Sequence, residues 1–527
     1  MSFISMAYLL FVGITAAIYY LVPRNRQWIV LLVFSYLFYM ASGPRLVLFL
    51  LMTTLTTWIS ALMIEQVETG RKTRPADAGS GKDENADAAG AEMHDASAAE
   101  QDKAVAKAQK KLIARRQKTI LTICLLFNFG VLFMLKYVNF VHWALPLGIS
   151  FYTFQSLGYV IDVYWKRVKA EHSLPRYMLF VSFFPQILQG PIGRHSRLAV
   201  QFEQPHSFDL ASVQRGLQRM CWGYFIKFVV ADRAGDAVSY IVSGYQNLGG
   251  AMYLVAVLMY SLQLYGDFAG GMDVVIGTAE IFGIRLDENF RQPYFANSIS
   301  DFWHRWHITL GTWMKDYLFY PLSLTKSMQR FGKAVKKKWG KQMGRVLPVM
   351  AANLVVFLAV GVWHGSGGKY LAYGIYNGLL VSLEAFLEPY MKKLYGKLGI
   401  GLQSRGLRIF QIVRTFLLVN LSWFWDIAPD MKTANAMMRG LITDFHIQDI
   451  TMKAMLDMGI NRTGYLSLLI GTIILFAADL LREKGHDLRN DISTKPLPIR
   501  WAIWLFLIFF TITFGKYSAG GFIYAQF

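Results

Sequence analysis

Long uncharged apolar runs, separated by short polar breaks, recur along most of the chain. Runs at 4–22, 27–42, 46–64, 119–138, 211–232, 250–283, 347–363, 369–388, 406–426, 465–482 and 500–515 approach the ~20 residues that a helix needs to cross hydrocarbon. Three more stretches, 142–164, 174–190 and 301–323, are apolar but carry Pro, Gly, His, Arg and Asp. Irregular backbone at membrane depth survives only when buried in protein, so these predict broken or re-entrant helices. The pattern predicts an all-α polytopic membrane protein with about 11–14 membrane segments. No internal repeat is visible.

The runs divide the chain into N-terminal spans (1–65), a charged stretch (66–117), a membrane core (118–426), a mixed-charge segment (427–464), C-terminal spans (465–515) and a tail (516–527). The centre of 66–117 is rich in Ala, Gly, Asp and Glu, with little to bury, and is expected to be disordered. Its basic end, from Lys103 to Arg116, suits a surface helix. The first run, Ile4 to Val22, lacks a basic n-region and an obvious cleavage site and reads as a retained span.

Charge sets the expected orientation. The net charge is +20, which in a soluble chain would suggest nucleic acid. Here the basic residues lie between apolar runs, as the positive-inside rule requires, so no nucleic-acid partner is expected. Pro23-Arg24-Asn25-Arg26 and the 66–117 stretch are placed in the cytoplasm, and 427–464 and the tail outside. The stretch 326–345 holds eight Lys or Arg and no acid. It predicts a cytoplasmic anchor on anionic lipid, with an acidic carrier protein as the alternative occupant. Cys124 and Cys221 lie in apolar runs and form no CxxC pair, so both are read as free thiols.

Polar residues inside membrane segments are costly and usually functional. Three clusters qualify. In Asp301-Phe-Trp303-His304-Arg305-Trp306-His307, helical spacing puts His304 and His307 on one face. They can be metal ligands, core histidines or the lining of a polar tunnel, and the spacing does not choose. No HExxH pattern supports a metal. In Trp363-His364-Gly365-Ser366-Gly367-Gly368, a neutral imidazole beside backbone that a ligand can approach closely can take a proton from an attacking hydroxyl. The alternative is a structural His at a helix end. In Phe183-Phe184-Pro185-Gln186 to Gly190-Pro191-Ile192-Gly193-Arg194, paired Pro and Gly predict a helix break, and Arg194 either binds phosphate or snorkels. No GxSxG elbow or P-loop is present.

These blocks, with LPLGISFYTFQ (145–155), Asp267-Phe268-Ala269-Gly270, Glu288-Asn289-Phe290 and the run on to Asp316 in FWHRWHITLGTWMKDYLFYPL, resemble the membrane-bound O-acyltransferase (MBOAT) family in their order. They are most similar to the bacterial branch that O-acetylates alginate or transfers D-alanine to teichoic acid. The resemblance implies a ring of helices around a thinned catalytic centre. It implies His364 as the catalytic histidine and His307 as the second histidine of the tunnel. His304, Arg305, Trp306, Trp303, Asp316, Asp267, Asn289, Gln186 and Arg194 are expected to support or line that tunnel.

The tail Phe522-Ile523-Tyr524-Ala525-Gln526-Phe527 resembles an F-x-Y-x-x-F motif of surface-acylating systems, in which the tyrosine accepts the acyl group. The alternative is an aromatic anchor at the membrane interface. The expected function is passage of an acyl group, acetyl first, from a cytoplasmic thioester through Tyr524 to a surface or wall polysaccharide. The donor would be acetyl-coenzyme A or a carrier-protein thioester, with no bound cofactor and no metal. The implied partner is an extracytoplasmic SGNH-hydrolase-like transferase, and the location is the bacterial cytoplasmic membrane. The rival readings are D-alanyl transfer from a carrier protein and, in another class, non-enzymatic transport of a lipid-linked sugar.

Overall fold

The computed structural model describes residues 2–69, 88–138, 146–517 and 522, with side chains undescribed over 88–102. Among the described residues all regular elements are helical, and the one strand-like pairing is an antiparallel bridge between Phe290 and Trp306. Eight helices among the described residues are long and apolar enough to cross a membrane: Pro44–Thr69, Lys103–Tyr137, Gly250–Ile281, Lys326–His364, Gly368–Lys397, Arg405–Ile427, Arg462–Glu483 and Leu497–Phe514. The apolar helices Met6–Leu21 and Gln27–Met40 have 16 and 14 residues. At the helical rise they reach about 21–24 Å, short of the ~30 Å hydrocarbon core.

The Gly250–Ile281 helix is buried along most of its length. It packs on Leu210–Phe225, Asp232–Ser243, Arg405–Ile427 and Met431–Thr443. Its closest neighbour is Leu210–Phe225, and glycines explain the approach. A Cβ on Gly216 would lie 2.5 Å from the Gly277 carbonyl oxygen, and one on Gly223 would lie 2.5 Å from that of Gly270. Two glycines seven residues apart on each helix let two antiparallel backbones touch, the contact by which small residues associate membrane helices.

The expected broken elements are buried in protein. In the Ile149–Tyr164 helix every residue from Ile149 to Val163 is buried. The Leu174–Ser182 helix stops at a turn before Pro185, and 183–190 runs non-helically through the interior with every residue buried. The 301–323 stretch divides into Ile299–Arg305, Ile308–Met314, a π-helical turn Lys315–Phe319 and Tyr320–Ser323.

Much of the centre of 66–117, where disorder is expected, lies outside the described residues, over 70–87. One helix continues to Thr69 and another begins at Ala88 and runs to Tyr137. Ala, Lys, Gln and Arg, with high helix propensity, extend the membrane helix outward. The basic 326–345 stretch is likewise a helix, folded back at Gly340 (φ 87°, ψ 173°), with Gly332 against the Gly344 carbonyl. The run 211–232 is not one regular span: a π-helical turn, Ile226–Ala231, interrupts it. The 427–464 segment is not a simple loop. It holds the Met431–Thr443 and Met452–Asp457 helices, and the Asp444 carbonyl accepts the Gly250 N–H at 2.8 Å.

Candidate active site

The Ile299–Arg305 helix is capped by the Ser298 hydroxyl, which accepts the Asp301 N–H at 3.0 Å. It ends before Trp306, and His307 takes a left-handed backbone, φ 47° and ψ 53°. That conformation is unfavourable for a residue with a Cβ and persists only where its surroundings enforce it. Asn289 enforces it here. Its backbone carbonyl accepts the Ile308 N–H at 3.0 Å. Its side-chain Oδ1 accepts the Thr309 N–H at 3.0 Å, the Thr309 hydroxyl at 2.9 Å and His307 Nδ1–H at 3.2 Å. A carbonyl acceptor on Nδ1 puts the proton there and leaves Nε2 as the basic nitrogen of His307.

His364 arrives from another direction, at the C-terminal end of the Lys326–His364 helix. The last carbonyls of that helix are satisfied from the Ala88–Tyr137 helix: Lys136 Nζ donates to the Trp363 carbonyl and the Tyr137 hydroxyl to that of Val362. Gly361 and Gly374 let the next helix pack closely, since a Cβ on Gly374 would lie 2.5 Å from the Phe357 carbonyl. The His364 ring lies 5.0 Å from that of Trp363 and 5.2 Å from that of Tyr373. Trp363 also lies 6.0 Å from the His307 ring, so one indole stands beside both imidazoles.

His307 and His364 are 4% and 7% exposed, and both line one cavity of about 320 Å³ with Trp303, His304, Trp306 and Phe357. A second cavity of about 1030 Å³ is lined by Arg219, Asp273, Asn289, Arg482 and Arg489, among mostly apolar side chains of Arg462–Glu483 and Leu497–Phe514. Asn289 therefore faces the larger cavity and also bonds the histidine of the smaller one. Phe290 and Trp306, their rings 5.0 Å apart, stand on the two sides of the same partition.

The structure distributes the other sequence-derived residues unequally. His304 and His307 do not share a helical face, because the helix ends between them. His304 is exposed at the cavity wall, its Nδ1 2.6 Å from the Ser300 carbonyl. Trp303 packs on Phe357 and Tyr373, and Trp306 on Phe290, Phe302 and Trp423. Arg305 turns away from the cavity to Asp301 at 2.8 Å and Glu483 at 2.6 Å. Arg194 pairs with Asp316 at 2.7 Å and lies over the Tyr317 ring. Gln186 is buried and donates to Gln155 Oε1 at 3.1 Å, bracing the 183–193 turn. Asp267 is buried against Lys227 at 2.5 Å. Tyr524 lies outside the described residues.

Sequence reasoning missed Lys136, Tyr137, Lys227 and Arg219. Lys136 and Tyr137 close an apolar run and read as its interfacial end. Lys227 stands alone in Tyr-Phe-Ile-Lys-Phe-Val-Val and reads as a snorkelling lysine. Its signal is a charge five residues before the end of the run predicted over 211–232, at a depth where it needs a carboxylate partner. Arg219 is bound to Asp273 at 2.8 Å and Glu288 at 2.5 Å, residues 54 and 69 positions away.

Residues 114–334 match the family model described as MBOAT, membrane-bound O-acyltransferase family. The matched range contains His307 and Asn289, and His364 lies beyond it. The chain is 32% identical over 335 residues to a Pseudomonas aeruginosa protein named Probable alginate O-acetylase AlgI, covering 63% of this chain and 57% of that one. It is 30% identical over 341 residues to a Peptidoglycan O-acetyltransferase of Helicobacter pylori, covering 60% of each. It is 30% identical over 256 residues to a Teichoic acid D-alanyltransferase of Bacillus subtilis, covering 47% of this chain and 60% of that one. The chain thus spans less than two thirds of the length of these relatives.

Proposed function

We propose, from the match of residues 114–334 to the membrane-bound O-acyltransferase family model, that this protein carries an acyl group, acetyl in the first instance, from a cytoplasmic thioester toward an extracellular or wall polysaccharide. The observation that carries the reading is the convergence of His307 and His364, from separate elements, on one buried cavity. The larger cavity, separated from it by the Asn289–Phe290 partition, suits entry of the donor arm.

In the proposed step the phenolic oxygen of Tyr524 attacks the thioester carbonyl carbon and the carbon–sulfur bond breaks. His364 takes the phenolic proton and delivers it to the departing sulfur, so the products are a tyrosyl ester and a free thiol. His307, its Nδ1–H bound by Asn289, supports that exchange from the same cavity. A phenol, with a pKa of about 10, leaves more readily than an alcohol in a second transfer. That second transfer belongs to an extracytoplasmic SGNH-hydrolase-like partner in the bacterial envelope. The donor is acetyl-coenzyme A or an acyl carrier protein, delivered near the folded basic helix at 326–345.

The test is intact mass of the C-terminal peptide after incubation of membranes with labelled donor. Label on Tyr524 that is lost in His364→Ala and in Tyr524→Phe supports the relay, and the mass increment names acetyl or alanyl. An unlabelled tail in protein that still supports surface acylation overturns the tyrosine step. D-alanyl transfer is the second reading, favoured by the likeness to the Bacillus subtilis protein; an alanyl increment would decide for it.

A further inference from the structure

The basic stretch 326–345 folds into a helical hairpin with a hollow between its limbs. The chain turns at Gly340, where a φ of 87° suits a residue without a Cβ. Two further glycines bring the limbs into contact. A Cβ on Gly332 would lie 3.0 Å from the Gly344 carbonyl oxygen, and one on Gly344 would lie 2.5 Å from the Cβ of Lys336. The hollow, about 400 Å³, is lined by Ser323, Gln329, Lys333, Lys336, Lys341 and Arg345 among others, and no carboxylate among the described residues lines it. Ser323 follows Phe319 by four residues, and Pro348 precedes Asn353 by five. Ser323 and Pro348 border the hollow, whereas Phe319 and Asn353 line the two-histidine cavity. At the helical rise the two spaces are about 6–8 Å apart along the chain.

Lys333 and Lys336 share a face of the first limb, and Lys341 and Arg345 share a face of the second, so four cations surround one space. Like charges at these spacings repel. Among the described residues none of the four has an ion-pair or hydrogen-bond partner to offset that repulsion. The arginines of the larger cavity differ: Arg219 is bound by Asp273 and Glu288, and Arg489 by Glu280 at 2.7 Å. Ser323 is a second, independent sign. Its hydroxyl is enclosed and has no hydrogen-bond partner. General attraction to an anionic membrane does not require this grouping. Lys326, Arg330, Lys337 and Lys338 of the same hairpin do not line the hollow and supply that attraction by themselves.

We infer that the hollow is a phosphate-binding site, in which Lys333, Lys336, Lys341, Arg345 and the Ser323 hydroxyl receive the oxygens of a diphosphate or of a phosphate ester. Ammonium and guanidinium groups bind phosphate oxygens through charge-assisted hydrogen bonds, and a hydroxyl completes such a shell. Two sources carry this chemistry: the nucleotide of a coenzyme A thioester and the headgroup of a phospholipid. Assignment to the donor rests on the acyl-transfer reading proposed above, whereas the phosphate site stands apart from it.

The experiment titrates inorganic diphosphate into the full-length protein in phosphatidylcholine nanodiscs, followed by calorimetry. Lys336→Gln with Lys341→Gln removes two charges from the hollow and keeps the methylenes that cover Gly344. Lys337→Gln with Lys338→Gln removes two charges from the same hairpin outside it. The first pair is expected to weaken diphosphate binding at least about tenfold, the loss of one or more hydrogen bonds between charged groups. The second pair should stay within about twofold, because its charges act only through screened solvent. No diphosphate binding by wild type, or equal loss in the two pairs, overturns the inference. The source is read separately. Retention of phosphatidylglycerol in native mass spectra that falls only in the first pair assigns the site to a lipid headgroup. A KM for acetyl-coenzyme A raised about tenfold in the first pair, with kcat unchanged, assigns it to the donor. If wild type transfers no acyl group, the acyl-transfer reading fails, and the diphosphate titration alone judges the site.

Discussion

His307 is held by hydrogen bonds, and His364 by aromatic rings and the end of a helix. Around His307 the Asn289 side chain accepts three hydrogen bonds at one oxygen, and its carbonyl accepts a fourth. Around His364 the neighbours are Trp363, Tyr370 and Tyr373, and the local polar contacts come from Lys136 and Tyr137 to the two preceding carbonyls. A hydrogen-bonded imidazole has a fixed tautomer and a fixed ring plane. In the proposed relay His364 is the base, and His307, its Nδ1 held by Asn289, is the positioned group.

The strongest test of that assignment is loss of each group in turn. His364→Ala is expected to lower acyl transfer by about 100- to 10,000-fold, the usual contribution of a general base, with little change in folded yield. Donor turnover in purified membranes checks it, and activity within a few-fold of wild type would remove His364 from the reaction. Asn289→Ala should cost less at the chemical step, about 100-fold, through misplacement of His307. It should cost more in stability, about 1–3 kcal/mol, because the buried Thr309 N–H loses its acceptor. Asn289→Asp keeps an acceptor oxygen and should recover most of the stability. Thermal melting read beside turnover separates the two losses. If Asn289→Ala melts as wild type does, the latch is not what holds the left-handed turn.

A smaller effect is expected on the other side. Lys136→Met removes a cation from the C-terminal end of the His364 helix, where such a charge is worth about 0.3–2 kcal/mol. It should slow transfer about tenfold by loosening the placement of His364. Lys136→Arg, which can still donate to the Trp363 carbonyl, should stay near wild type. Equal loss in both variants would point to the shape of Lys136, rather than its charge, as the contribution.

The two halves of the site were unequally legible in the sequence. His307 and His364 could be singled out because each stands in a short polar block inside apolar surroundings, and Asn289 only through the family resemblance. Their convergence could not be read, because it depends on a backbone break at His307 that helical periodicity does not predict. The same periodicity placed His304 beside His307, and the left-handed turn separates them. Lys136 and Lys227 escaped for a related reason. A lone lysine near the end of an apolar run has the same spelling whether it snorkels to the interface or caps a buried helix. Only the partners, 227 residues away for Lys136 and 40 for Lys227, distinguish the two. The basic end from Lys103 to Arg116 could be read as a helix, but its continuity with the apolar run after Thr119 could not, because composition does not say where a solvated helix joins a membrane span.

Arg305 gives the smallest expected effect on chemistry. It lies two residues before His307, and its block reads as a single constellation. Its guanidinium nevertheless joins Asp301 to Glu483, which also receives Arg408 at 3.0 Å. It therefore ties the broken helix to the end of Arg462–Glu483 and does not line the two-histidine cavity. Arg305→Gln should lower the thermal midpoint, because Glu483, 13% exposed, keeps only its more exposed partner Arg408. Turnover at a temperature well below that midpoint should stay within about threefold, since no reacting atom depends on Arg305 beyond the shared backbone. A fall of about 100-fold with unchanged melting would reverse the conclusion and place the guanidinium on the substrate. The hydrogen-bonded side of the site would then extend from His307 to the salt bridge at Glu483, and the contrast with His364 would be between a charged wall and an aromatic one.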